Sequence, residues 1–248
     1  MPLKQNLLLR RLSGEERSWV DANATVVNLL PRVQLYEHRQ RLRHVYFPLS
    51  ASVAVMRDLM DGSSAQVGII GNEGVVAYGA LIDGRVVNSR AIVQVPGAFA
   101  RFDVGAMQDW VLERPQFRAL LMHYGHALLS HTMQNVICTN FHQVRQRLAL
   151  LLLQTIDRVP DHVLPLTQDI IADMLGVRRA TVSEIESRLQ TQGIIRYQRG
   201  KIEILDRDAL AALACECYGV IRAEYDRFMQ DAPYPRALSA PRLAETGA

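Results

Sequence analysis

The side chains most able to do chemistry sit in one short stretch, Arg178-Arg179-Ala180-Thr181-Val182-Ser183-Glu184. An arginine can donate two parallel hydrogen bonds to a guanine edge in the major groove of DNA, and threonine or serine hydroxyls reach phosphate oxygens. From Arg178 to Lys201 six Lys/Arg stand against two Glu. The chain as a whole is only mildly basic, at net +3 with a pI near 8.9, so a nucleic-acid footprint has to be local.

Other chemistries find less support. His38 and His44 flank the basic Arg39, Arg41 and Arg43, but no His-x-His pair exists there, and Glu37 on a strand points away from His38. His123, His126, His131 and Cys138 lie on one helix and His142 follows it, natural ligand types for haem or a metal, but the histidines are spread around the helix and no convergent carboxylate or second cysteine partner is evident. Cys215 and Cys217 alternate, and on a continuous helix alternate residues face apart. No metal, haem or iron–sulfur group is therefore expected. Neither a Gly-x-Ser-x-Gly nucleophile elbow nor a phosphate-cradling Walker loop is present, so an enzyme is not expected.

The elements that must position the basic stretch are legible around it. Ile170, Ile171, Met174 and Leu175 make one apolar face, Gly176 follows, and Val182, Ile185 and Leu189 recur at i, i+3 and i+7. This pattern is a helix-turn-helix whose turn uses a residue tolerant of positive φ. With that stripe inward, Arg178, Arg179, Ala180, Thr181, Ser183 and Glu184 face outward, and Thr167 at the start of the first helix is a further DNA contact. Ile194–Tyr197 and Lys201–Leu205 flank Gln198-Arg199-Gly200. They predict a hairpin, a wing carrying Arg199 and Lys201 to the DNA backbone.

Upstream, Ser13 and Glu16 predict a capped short helix with Trp19 and Val20 on its apolar side. Between Val33 and Phe102, short β-prone runs separated by turns such as Asp61-Gly62-Ser63-Ser64 predict an antiparallel roll. Pro115 then opens a long helix to about Asn140. Its heptad-like series Phe117, Leu121, Tyr124, Leu128, His131 and Asn135 predicts a two-fold dimer seam, while Met122, Leu129, Met133, Val136 and Ile137 pack on the roll. A further helix spans Phe141 to Val159 with Arg145 and Arg147 exposed, and Asp206 caps a final helix through about Met229. The class is α+β, with a β-roll sensor domain over residues 1–112, a dimerisation helix over 113–140, a winged helix-turn-helix over 141–230 and a loose tail over 231–248. Three cysteines, no secretory leader and no run near the ~18 apolar residues of a membrane span predict a reduced cytoplasmic protein with no membrane partner.

This order of parts, over about residues 10 to 205, resembles the Crp/Fnr family of bacterial transcription regulators. Gly176-Val177-Arg178-Arg179-Ala180-Thr181-Val182-Ser183 is similar to that family's recognition helix, Gly-x-Ser-Arg-Glu-Thr-Val-(Gly/Ser)-Arg. The resemblance implies a homodimer on an inverted repeat of double-stranded DNA, a cyclic-nucleotide-like sensor domain that adjusts the recognition helices, and RNA polymerase as a partner. It places Arg179 at the base-reading arginine and Thr181 at a phosphate contact. Ala180 replaces the family's glutamate, Glu184 stands where a second base-reading arginine is usual, and Arg178 takes the helix N-cap normally held by serine.

The cyclic-nucleotide cassette also departs from the family, since Gly74 is followed by Val75 and the later segment reads Asn88-Ser89-Arg90-Ala91. Cyclic AMP is therefore not expected. Glu73, Ser89, Arg90 and Tyr124 outline a pocket for an unidentified small-molecule effector. Two other readings are a signalling or scaffold protein that uses the helix-turn-helix for protein contacts, and a small-molecule or metal enzyme on the β-roll.

Overall fold

Alternation along His44–Pro48, with Val45 and Phe47 buried and His44 and Tyr46 half-buried, is the pattern of a strand with one face on a core. In the computed structural model, which describes residues 2–12, 14–83 and 87–230, such strands close the first half of the chain into a roll. They are β1 (Thr25–Leu29), β2 (Gln34–Tyr36), β3 (His44–Pro48), β4 (Ser52–Asp58), β5 (Ser64–Ile70), β6 (Arg90–Val95) and β7 (Gly97–Asp103). Two antiparallel sheets result, in the orders β1-β7-β3 and β2-β6-β4-β5. Helices α1 (Leu7–Arg10), α2 (Gly14–Asn23), α3 (Tyr78–Asp83) and α4 (Val104–Leu112) complete this domain.

Strand β1 lies outside the run of strands that the sequence pattern predicts. Among the described residues it pairs only with β7, and it is mostly exposed, so its side chains carry little hydrophobic contrast. The Ser13 cap and residues 231–248 lie outside the described residues.

The second half is helical, with a small sheet. It holds α5 (Pro115–Phe141), α6 (Val144–Ile156), β8 (Val163–Leu164), α7 (Gln168–Leu175), α8 (Arg179–Thr191), β9 (Ile195–Gln198), β10 (Lys201–Ile204), α9 (Arg207–Leu213) and α10 (Cys217–Met229). The expected single helix from Asp206 to Met229 is two helices. Ala214 takes an extended ψ of 156°, which ends α9 and lets α10 fold back onto α5. There Ile221 and Tyr225 join a core that also contains Val75, Phe102, Leu121 and Tyr124.

That packing reverses the expected faces of α5. Phe117, Leu121, Tyr124 and His131 are buried within their own chain, Leu128 lies over Gly68, and Asn135 donates to the Val67 carbonyl at 3.3 Å. They are not available as a partner seam. The sequence pattern misleads because both faces of α5 are apolar, and the extra helix α10 claims the one with the more regular spacing. Met122, Leu129, Met133, Val136 and Ile137, expected against the roll, are instead exposed, as is Phe141.

A buried polar network joins the two halves. Glu73, after β5, receives the Gly71 N–H at 3.1 Å and the Arg158 Nε–H at 2.8 Å. Arg158, just past α6, also donates to the Gln154 carbonyl at 2.9 Å and lies 5.0 Å from the Tyr225 ring centroid. Tyr225 Oη meets His131 Nδ1 at 3.3 Å, and Gln154 Nε2 meets His131 Nε2 at 3.2 Å. Burial, aided by the Arg158 charge, lowers the His131 pKa to about 3, so the imidazole is neutral.

Two outcomes are expected. Glu73→Gln leaves a buried guanidinium without its counter-charge and should lower unfolding stability by roughly 3–5 kcal/mol in a urea titration. For His131, the unfolded imidazole binds a proton below about pH 6.5 that the native state refuses. Its contribution is thus present above 6.5 and lost as pH falls towards 3. The stability slope between pH 6.5 and 5 should approach ~1.4 kcal/mol per pH unit from this group and vanish in His131→Gln.

Candidate nucleic-acid interface

Thr167 opens the motif as the N-cap of α7, its Oγ1 accepting from Ile170 N at 3.3 Å. The helix ends at Gly176, whose φ of +63° and ψ of +43° are left-handed, a conformation that costs other residues about 1–2 kcal/mol. Arg147 donates to the last α7 carbonyl, at Leu175, at 2.6 Å, so it is a half-buried tie rather than the exposed charge expected. Across the turn, Ile171, Ala172, Met174 and Leu175 pack with Val182 and Leu189 of α8.

The outward face of α8 carries Arg178, Arg179, Ala180, Ser183 and Glu184 exposed, with Thr181 half-buried. Arg178 occupies the N-cap without a side-chain cap bond, which leaves first-turn N–H groups to meet an anion. Arg179 lies 3.5 Å from Asp169 of α7; both groups are largely exposed, so the pair holds the guanidinium weakly. Glu184 accepts from Arg188 at 2.6 Å one turn on, which offsets the charge that departs from the family pattern. Arg188 is not among the residues singled out from sequence, although the i, i+4 spacing to Glu184 signals it.

Glu186 contributes nothing to the face. It is buried, takes a hydrogen bond from Gln168 at 2.9 Å, and desolvation raises its pKa. With Glu186 withdrawn, the exposed surface is more basic than the residue count suggests.

The wing forms as expected from β9 and β10, with β8 as a third strand. At its turn Arg199 and Gly200 have φ of +51° and +75°, the positive pair of a tight two-residue hairpin loop. A Cβ on Gly200 would lie 3.2 Å from Thr167 Cγ2, so the turn sits against the start of α7. Thr167 and Asp169 thereby bring the wing, with exposed Arg199 and Lys201, and the start of α8 to a common edge.

The residues expected to form one effector pocket do not. Glu73 lines a cleft of about 280 Å³ with Arg158 and Tyr225, whereas Arg90 lines a separate cavity of about 370 Å³ with Met56, Asp169 and Met174. Arg90 is bonded to Asp58 at 2.8 Å, and the Ser89 hydroxyl is 3.5 Å from Tyr36 Oη. Tyr124 is fully buried between Tyr78 and Phe228, and a Cβ on Gly74 would run into its phenol. The space between roll and α5 is filled by side chains of α10, which a continuous final helix would not have placed there.

Residues 146–213 match the family model for the Crp-like helix-turn-helix domain. The CRP-like cAMP-activated global transcriptional regulator of Mycobacterium tuberculosis is 25% identical over 177 residues, 68% of this chain and 79% of that relative. Residues 146–213 are thus a Crp-like helix-turn-helix domain. FixK2 from Bradyrhizobium japonicum has the same fold, with a TM-score of 0.65 at 20% identity over 77% of this chain and 98% of its own. A CRP-family transcriptional regulator from Thermus thermophilus gives 0.59 at 20% identity, over 76% and 96%. The chain shares with these structures a fold of β-roll, long helix and helix-turn-helix, and the described residues include no helix long and apolar enough to cross a membrane.

Proposed function

We propose that the chain is a homodimeric transcription regulator that reads an inverted repeat by laying α8 in the major groove of each half-site. The observation that carries this reading is the face of α8, where two arginines, a threonine and a serine stand outward at the helix start while Val182, Glu186 and Leu189 are buried. Arg179 reads a base, Thr167, Thr181 and Ser183 reach the phosphates, and Arg199 and Lys201 follow the backbone from the wing.

The dimer contact is the exposed stripe of α5. Met122, Leu129 and Val136 recur at seven-residue spacing, Met133 lies between the last two, and Ile137 and Phe141 extend the face, each at least 49% exposed. Such a stripe on a 27-residue helix suits a parallel two-stranded seam with a second copy. It places the two recognition helices on one face of the DNA, with half-sites about 34 Å apart.

The sensor domain works here without cyclic AMP, because α10 takes up the space beside Tyr124 and Gly74. A cytoplasmic site of action and contact with RNA polymerase fit the same reading. The protein-scaffold alternative rests on Glu184 and Ala180, and of these Glu184 is offset by Arg188.

Arg179→Ala should cost about 1–3 kcal/mol of operator affinity and relax preference at one base per half-site. Lys201→Ala should weaken all sequences alike and reduce the salt slope by about 1. In fluorescence binding across a salt series, an unchanged Arg179→Ala would refute the docking. Met133→Asp should turn the dimer into a folded monomer in sedimentation and lose tight operator binding; a retained dimer would refute the α5 seam.

A further inference from the structure

All three cysteines of the chain and one histidine converge at the junction of α5, α6 and α10. We propose that Cys138, His142, Cys215 and Cys217 form a closed tetrahedral site for a single thiophilic divalent cation, zinc above others, that pins the end of α5 to the link between α9 and α10. The four ligand atoms lie within 4.8 Å of one another. Cys138 Sγ is 3.5 Å from Cys215 Sγ, and Cys217 Sγ is 3.4 Å from His142 Nδ1. Zinc bonds of ~2.3 Å to sulfur and ~2.0–2.1 Å to nitrogen set ligand atoms of a tetrahedron roughly 3.5–3.8 Å apart. The cluster is already at that scale.

The expectation of no metal rests on the lack of a second partner converging on the histidines and Cys138 of the long helix and, for Cys215 and Cys217, on a helix that faces them apart. The break at Ala214 removes that premise, and both sulfurs turn towards α5. Cys138 and His142 are one turn apart at the end of α5, the spacing at which two helical side chains meet.

The surroundings are those of ligands rather than idle thiols. His142 Nε2 lies 3.2 Å from Glu216 Oε1, an outer carboxylate that orients the ring and leaves Nδ1 towards the sulfurs. Gln134 Nε2 donates to Cys217 Sγ at 3.1 Å, which favours a thiolate there. Arg147 lines the same small cleft as Cys138 and supplies positive charge against a site of three thiolates and one dication.

The three cysteines are at most 4% exposed, and four protein ligands leave no open coordination position, so the site is structural rather than catalytic. A disulfide between Cys138 and Cys215 would use two of the four groups and leave unexplained why His142 and Gln134 converge on Cys217. A multi-iron cluster needs its ligands on separate irons, farther apart than this.

The test is the metal content of the full chain, purified without chelator and measured by plasma mass spectrometry. About one zinc per chain is expected, falling to less than a tenth in Cys138→Ser and in Cys217→Ser while Asn140→Ala retains it. Because the serine variants risk misfolding, the wild-type chain is also stripped and titrated with cobalt. A tetrahedral cobalt–thiolate absorption reaching its endpoint at one equivalent supports the site. Folded wild-type chain that holds no zinc and gives no cobalt–thiolate band overturns it. So does a Cys138–Cys215 disulfide in freshly isolated protein, or a multi-iron spectrum.

Discussion

The ion pair of Glu73 with Arg158 is the contact on which the arrangement of this molecule depends. Both side chains are less than a tenth exposed, and burying two charges is costly unless each finds its remaining partners. Here each does. Glu73 takes the Gly71 amide, and Arg158 takes the Gln154 carbonyl and the Tyr225 ring. Because Glu73 belongs to the roll, Arg158 follows α6 and Tyr225 belongs to α10, three separate parts of the chain have to be in register before the charges are satisfied. Apolar packing tolerates small slips that such a network does not.

A second contact area reinforces the first. Ala54, Met56 and Val95 of the roll belong to the core of the DNA-binding domain, and Gln94 donates to Thr155 of α6 at 3.1 Å. The helix-turn-helix is therefore held against the β-roll rather than suspended from the long helix alone. Anything that shifts the roll, α10 or the end of α5 has a route to the recognition helix through packed and hydrogen-bonded groups. The helix α10 packs Phe228 against Tyr124 and supplies Tyr225 to the network.

Much of this is legible in the sequence. The roll's strands from Gln34 to Phe102, the proline-initiated α5, the turn at Gly176 and the wing at Gln198-Arg199-Gly200 follow from local signals, because each is set by residues close together in the chain. What depends on distant packing is not. The choice between the two apolar faces of α5 is decided by α10, more than eighty residues away in sequence. Equally, Glu73 reads as a candidate ligand for an effector because nothing local announces Arg158. Cys215-Glu-Cys217 reads as two opposed thiols because a helix end at Ala214, amid alanines and leucines, has no proline or glycine to mark it.

The most direct test of the central claim, a dimeric reader of an inverted repeat, is selection of random duplexes on the purified full chain with nothing added. Enrichment of an inverted repeat whose half-site centres lie about one helical turn, ~34 Å, apart is expected. Absence of any enriched sequence, with no salt-dependent DNA binding even at low ionic strength, would contradict it.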